Sequence, residues 1–289
     1  GIAGSLLPSI TNLALIAIPI NEAKIAFNRM FEFASIQTEK EGEINMTDLD
    51  VIEIKNLSFR FAGRSQLLKN INIRIAKGEF VAIVGESGSG KSTLGQILQK
   101  FYGFENGEIT VNGTLNFKEL KLENWRSLIG VIPQEIKIFN GNVLDNILLG
   151  TEDTVENVVK FCQDLGFEKF IADFPQGYAT ILGEEGINLS GGQKQIIAFA
   201  RALYKKPHFL ILDEATAAMD RNTENFTMQL LSKLKNEVAI LFISHRLHTL
   251  KNNADYIYIL ENGIISSKGN HQDLLKTINF YSAYWLSIK

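Results

Sequence analysis

Between the unbroken apolar stretch Phe80–Val84 and a segment able to start a helix, the chain carries Gly85, Glu86, Ser87, Gly88, Ser89, Gly90, Lys91 and Ser92, with Thr93 following. The run fits the pattern G-x-x-x-x-G-K-[ST]. Its glycines let the backbone wrap so that successive N–H groups point inward at an anion, Lys91 reaches outer phosphates, and the Ser92 hydroxyl can ligate magnesium. A helix opening at Lys91 adds the positive end of its dipole. A strand that ends at phosphates and a helix that leaves from them ask for an α/β core, with the strand covered on both faces.

The 289 residues, 45% hydrophobic, can bury a full core and leave room for an appendage. A net charge of −3 and a pI near 5.9 speak against a nucleic-acid partner, which asks for a basic stripe. Cys162 stands alone, so no internal disulfide forms, and it reads as a small apolar core residue. His208, His245, His248 and His271 are scattered, which argues against a histidine metal centre.

The chain starts at Gly1 and has no charged residue before Glu22, as if cut from a longer protein. That opening is nearly the length of a membrane span, but Ser5, Pro8, Ser9, Thr11, Asn12 and Pro19 make it a poor one, and it lacks the marks of a signal peptide. From Leu13 to Phe33 apolar residues recur at helical spacing (Ile16, Ile20, Ala23, Phe27, Met30, Phe31), which predicts a long helix bent at Pro19. Two readings of it stay open: an amphipathic helix packed on its own domain, or the cytoplasmic end of a membrane helix.

The polar segment Gln37–Asp50 reads as a linker. Ile71, Ile73 and Ile75 alternate with Asn72 and Arg74, a half-buried strand. Phe80–Val84, Phe209–Leu212 and Val238–Ile243 have the pattern of buried parallel strands. Tyr256–Leu260 and Ile264–Ser266 flank Asn262-Gly263, a hairpin turn signal. Between Val143 and Phe174 the pattern turns helical, with Val155, Val158, Val159, Cys162 and Leu165 on one stripe. The expectation is an α/β core with an inserted helical subdomain.

Phe209–Leu212 ends in Asp213 and Glu214. Ligands of open α/β sheets sit beyond the carboxyl ends of strands, so both acids fall beside the phosphate loop: Asp213 suited to hold magnesium through water, Glu214 to act as general base on the attacking water. A second glycine turn, Leu189, Ser190, Gly191, Gly192 and Gln193, precedes the helical run Lys194–Tyr204 and offers another helix amino terminus to an anion. One triphosphate is already served by the first loop, so the simplest geometry is two chains sharing two nucleotides. The same turn also reads as an N-cap and nothing more.

The order of these segments resembles an ATP-binding cassette (ABC) ATPase: Gly85–Ser92, Gln134 after Ile129–Pro133, Leu189–Gln193, Phe209–Glu214, and His245 after Val238–Ser244. The resemblance spans at least Val51 to the C-terminus and implies a P-loop NTPase of the ABC type: a mixed sheet core with antiparallel strands, an inserted helical subdomain and a helix in front. Thr180–Gly186 resembles the exporter-specific loop, with Glu185 where arginine is common. The opening helix resembles the cytoplasmic extension of the last membrane helix in fused exporters, which favours the second of its two readings.

The resemblance also implies roles. Gln134 would sense the γ-phosphate and magnesium, His245 would hold the γ-phosphate and Glu214 in line, and Ser190, Gly192 and Gln193 would cap the nucleotide of the opposite chain. Phe61 stands where the family usually stacks a tyrosine on adenine, or is a core aromatic. Ala215–Asp220 matches the loop coupling the two sites, with Met219 where leucine is usual. The expected layout is residues 1–44 as membrane-helix extension and linker, and 45–289 as the ATP-binding domain, its helical subdomain at about 135–192. The expected ligands are ATP and Mg2+. The expected partners are a second copy in a head-to-tail homodimer, a transmembrane domain of the same protein and a transported substrate, with a peptide or bacteriocin as the expected cargo. The cassette would work at the cytoplasmic face of the plasma membrane, and the fragment alone would be soluble. The rival readings are a lipid or drug exporter and a soluble ABC ATPase without a membrane domain.

Overall fold

The computed structural model describes residues 2–35, 42–183 and 189–287, and divides into two units, Gly1–Glu41 and Gly42–Lys289. The first is one helix, α1 (Ile2–Ala34), which starts earlier than the periodicity predicts and runs through Pro8 and Pro19 without interruption. Its large apolar side chains from Leu15 to Phe33 are each more than half exposed. Among the described residues, no helix is long and apolar enough to cross a membrane.

The second unit continues with β1 (Val51–Phe59), β2 (Leu68–Ala76), β3 (Phe80–Val84), α2 (Lys91–Leu98), β4 (Asn106–Val111), β5 (Leu115–Asn116), α3 (Leu122–Leu128), β6 (Ile129–Ile132) and β7 (Gly141–Asn142). Then come α4 (Val143–Leu148), α5 (Val155–Leu165), α6 (Glu168–Ile171), β8 (Ile181–Leu182), α7 (Gly191–Tyr204), β9 (Phe209–Asp213) and α8 (Arg221–Leu234). The chain closes with β10 (Ala239–Ile243), α9 (Leu247–Leu250), β11 (Tyr256–Glu261), β12 (Ile264–Gly269), α10 (His271–Leu275) and α11 (Phe280–Ser287).

A six-stranded sheet in the order β12-β11-β3-β10-β9-β6 is parallel except for the β11–β12 hairpin. A second, antiparallel sheet has the order β2-β1-β4-β5. Strand alternation divides the apolar side chains between two cores. Val81, Ile83, Ile211, Leu241 and Ile243 join α2 and the antiparallel sheet; Ala82, Val84, Leu210, Leu212, Ile240 and Phe242 join the helical side with α5 and α7. Both faces of the parallel strands are therefore covered, as their unbroken apolar runs require.

Two expectations need correction. Gln37–Asp50 is not a free linker throughout: residues 42–50 are a docked strap. The Ile44 N–H donates to Glu119 O, Asn124 both accepts from Met46 N–H and donates to Met46 O, and Leu49 is wholly buried. Its few apolar anchors lie too far apart to read as a period. The helical stretch Val143–Phe174 holds three helices, α4 to α6, and its expected stripe does not include Val155, which is half exposed in the first turn of α5 while Val158 and Cys162 are buried. β7 and β8 pair antiparallel, so the exporter-like stretch Thr180–Gly186 has Ile181 and Leu182 on a strand; its Glu184, Glu185 and Gly186 lie outside the described residues.

Candidate functional site

The phosphate loop, both acids, Gln134 and His245 all follow the carboxyl ends of parallel strands. β3 runs into Gly85, whose backbone lies so close to the Leu260 carbonyl oxygen that a Cβ would stand 2.0 Å from it, at a φ of +152 that L side chains rarely adopt. Only glycine passes there. The loop ends at Gly90, N-cap of α2, and Lys91 turns back over it, its ammonium donating to the carbonyls of Gly85 at 2.9 Å and Glu86 at 2.7 Å. Burial lowers the Lys91 pKa, against the opposing charges of Glu214 and Asp213. An open cleft of about 500 Å³ adjoins the loop, edged by Phe61, Gln66, Ser87, Gly88, Ser89 and Asn262. Phe61 is half-buried and packs edge-on against Phe59 and Tyr102 at 4.9 and 5.3 Å between ring centres. It is at once a packed aromatic and a wall of the cleft. A larger cavity, about 700 Å³, lies among Asp153, Phe161, Tyr204 and His208 near the amino ends of β9 and β10, the wrong end for this chemistry.

β9 delivers Asp213 and Glu214. Burial pushes the Asp213 carboxyl above the usual carboxylate range; a hydrogen bond from Ser92 pulls it back, the Glu214 charge raises it again, and Lys91 opposes. Its Oδ1 is buried with no hydrogen-bond partner, as is the Ser89 hydroxyl. Orphaned oxygens in the phosphate loop and at the strand end beside it fit a magnesium-bound polyphosphate. Glu214 turns the chain sharply, at a φ of +50, and its carboxylate is held from both sides. Gln134 Nε2, two residues past the end of β6, donates to Oε2 at 3.1 Å, and His245 Nδ1, just past β10, lies 2.9 Å from Oε1. Three strand ends thus bring together three residues widely separated in sequence.

The second glycine turn goes elsewhere. Ser190 is the N-cap of α7 and forms a capping box with Gln193: Gln193 N–H donates to Ser190 Oγ at 3.2 Å, and Ser190 N–H to Gln193 Oε1 at 3.0 Å. The bland reading, a helix cap, is therefore real, and it leaves Ser190 and Gly191 exposed at the start of α7. Among the described residues, no hydrogen bond joins Leu189–Gln193 to Gly85–Thr93. Asp220 caps α8, accepting from the N–H groups of Asn222 and Thr223 and from the Thr223 hydroxyl. Met219 is buried, its sulfur accepting from the Thr227 hydroxyl at 3.4 Å. Sequence reasoning passed over Arg246, whose guanidinium bonds the carbonyls of Thr216 and Ala217; its place directly after His245 was the available signal.

A glycine-rich phosphate loop between a parallel strand and a helix, beside an acidic strand end, defines a P-loop nucleotide-binding ATPase. The family model described as ABC transporter matches residues 68–217, just over half of the chain, and the chain belongs to that family as its ATP-binding domain. It is 38% identical over 290 residues to the alpha-hemolysin translocation ATP-binding protein HlyB of Escherichia coli O157:H7, covering 98% of this chain and 40% of that protein. It is also 38% identical over 288 residues to the leukotoxin translocation ATP-binding protein LktB of Pasteurella haemolytica-like sp. (strain 5943B), with 98% and 40% covered. The chain thus spans about 40% of the length of the curated relatives it matches. Among solved structures, a bacterial Atm1-family ABC exporter with ATP bound superposes with a TM-score of 0.85 and 31% identity, covering 93% of this chain and 47% of that one.

Proposed function

We propose that this chain is the ATP-hydrolysing cassette of an exporter, and that it works as a pair of copies facing head to tail. The observation that carries the reading is the Glu214 carboxylate, held between Gln134 and His245 at the strand end next to the Lys91 loop. In that setting Glu214 accepts a proton from the attacking water, His245 holds the carboxylate and the γ-phosphate in line, and Gln134 reports the state of the site to its surroundings. Lys91 exchanges the carbonyls of Gly85 and Glu86 for phosphate oxygens when ATP enters. Ser190, exposed, and Gly192 and Gln193, half-buried at the start of α7, cap the nucleotide held by the opposite copy. Catalysis of this kind is positioning and charge stabilisation rather than covalent chemistry.

Ser92, Asp213 and Gln134 are the residues that would hold Mg2+, which supplies neutralisation of phosphate charge. Phe61 offers its ring to the adenine base, and Asp220 fixes the turn that couples the two sites. Residues 1–44 are read as the extension of a membrane helix with its linker, 45–289 as the cassette, and about 135–192 as its helical subdomain. The cassette would sit at the cytoplasmic face of the membrane, beneath a transmembrane domain. The names of the relatives, translocation proteins for a hemolysin and a leukotoxin, support a polypeptide cargo. Phosphate release from ATP, followed over a series of protein concentrations, tests the core of this: the rate should rise with the square of concentration while dimers are scarce. No phosphate release, or a strictly first-order rate, contradicts it.

A further inference from the structure

β9 and β10 lie side by side with Ile243 opposite Asp213, and their backbone pairing ends where the Glu214 N–H donates to the Ile243 carbonyl at 2.9 Å. Beyond that bond the two chains part into separate loops, one headed by Glu214, the other by His245. Among the described residues no further backbone hydrogen bond joins the two loops, and side chains hold them to each other. One is His245 on Glu214. The other is Arg246, whose Nη2 donates to the Ala217 carbonyl at 2.6 Å and whose Nη1 donates to the Thr216 carbonyl at 3.3 Å. Nη1 also lies 3.6 Å from Oε1 of Glu224, a carboxylate on α8 that is only 8% exposed and whose Oε1 is otherwise without a hydrogen-bond partner. At the root of the side chain, the Arg246 N–H donates to Ser244 Oγ at 2.9 Å.

A planar fork of charged donors suits this task, because one group can hold two carbonyls and a carboxylate at fixed relative positions. The loop so held continues into Ala218. There it meets the start of α7: a Cβ built on Gly191 would stand 2.5 Å from the Ala218 Cβ. Rigid contacts thus run from His245 through Arg246 to Thr216 and Ala217, and from Ala218 to Gly191.

We propose that Arg246 is a positioning residue that locks the histidine loop to the Ala215–Asp220 turn, so that a shift at His245 displaces the amino end of α7 in the same chain. Arg246 touches none of the reacting atoms and acts through the groups it holds. The proposal rests on the reading above, in which that end of α7 completes the nucleotide site of the opposite copy. Communication between the two sites then passes through one guanidinium in each chain.

The test compares wild type with Arg246→Gln and Arg246→Lys in the full chain. Amide hydrogen exchange is measured without nucleotide, and ATP hydrolysis is measured separately. Arg246→Gln should speed exchange in 215–220 and at the start of α7 by about tenfold or more, leaving Lys91–Leu98 as in wild type. It should lower kcat by about 10- to 100-fold, the scale of a small misplacement near reacting groups, with KM held within about threefold. The Hill coefficient for ATP should fall to about 1, and Arg246→Lys should recover part of each effect. Unchanged exchange in 215–220 overturns the proposal. So does an increase spread over the whole chain with a lower melting temperature, which marks a merely structural role, or faster local exchange with kcat and Hill coefficient intact. The exchange measurement needs no turnover; wild type that releases no phosphate counts against the ATPase reading, and the lock is still decided by exchange.

Discussion

Glu214 has its backbone in the left-handed region, which is strained for a non-glycine residue, and its two carboxylate oxygens are held by Gln134 and His245. Such strain persists where the surroundings over-determine it. Glu214→Gln should therefore keep the turn and its ATP binding, and cut hydrolysis by roughly 10²- to 10⁴-fold, the range for losing a general base. Single-turnover phosphate release alongside equilibrium nucleotide binding checks both halves. Asp213 carries a different cost. Its pKa is raised by burial, so the folded chain holds that proton more tightly than the unfolded one, and the associated stability is lost as pH rises through the folded value. Once ionised, the group thus destabilises the nucleotide-free chain. Asp213→Asn should melt higher than wild type at about pH 7 to 8. The advantage should shrink toward about pH 4, where an aspartate is itself becoming neutral. Melting curves across pH, without nucleotide, read this out. A mutant that melts lower at every pH contradicts it.

The two adjacent glycines at the start of α7 make opposite demands. Gly191 has no room for a methyl group beside Ala218, so Gly191→Ala should destabilise the chain by about 1–3 kcal/mol, as overpacking does. At Gly192 the nearest atom to a built Cβ is Ala218 O at 3.6 Å, an ordinary contact. Gly192→Asp should leave the melting temperature within a degree or two of wild type, since most uncrowded surface changes cost under about 0.5 kcal/mol. It should still abolish hydrolysis, because in the proposed pair its carboxylate would face a phosphate held by the partner. Scanning calorimetry with a phosphate-release assay separates the two variants. The elements themselves were legible where one rule governed them: the phosphate loop, the buried strands β3, β9 and β10, and the β11–β12 hairpin all follow from periodicity and glycine chemistry. The strap at residues 42–50 was not, because polar side chains such as Asn124 and Asn112 hold its backbone and no period betrays that. The grip of Gln134 and His245 on Glu214 follows from strand order, which spacing along a sequence does not encode. The clamp by Arg246 was missed because a lone arginine in a loop looks like ordinary surface charge.

In the proposed head-to-tail pair, one copy of this chain lends its phosphate loop to one ATP site and its α7 turn to the other. The pairing is what turns an exposed helix cap into a functional surface, and it makes the two defects, Lys91→Ala and Gly192→Asp, complementary. Lys91→Ala spoils the loop and leaves the α7 turn intact; Gly192→Asp does the reverse. In a mixed dimer the loop of the Gly192→Asp chain meets the α7 turn of the Lys91→Ala chain, and that site is whole. Hydrolysis should therefore be near zero for either variant alone and should appear on mixing, at up to about a quarter of the wild-type rate if the sites act independently and subunits pair at random. Activity that never rises above the sum of the two separate variants, at concentrations where wild type hydrolyses ATP, would contradict the shared-site account.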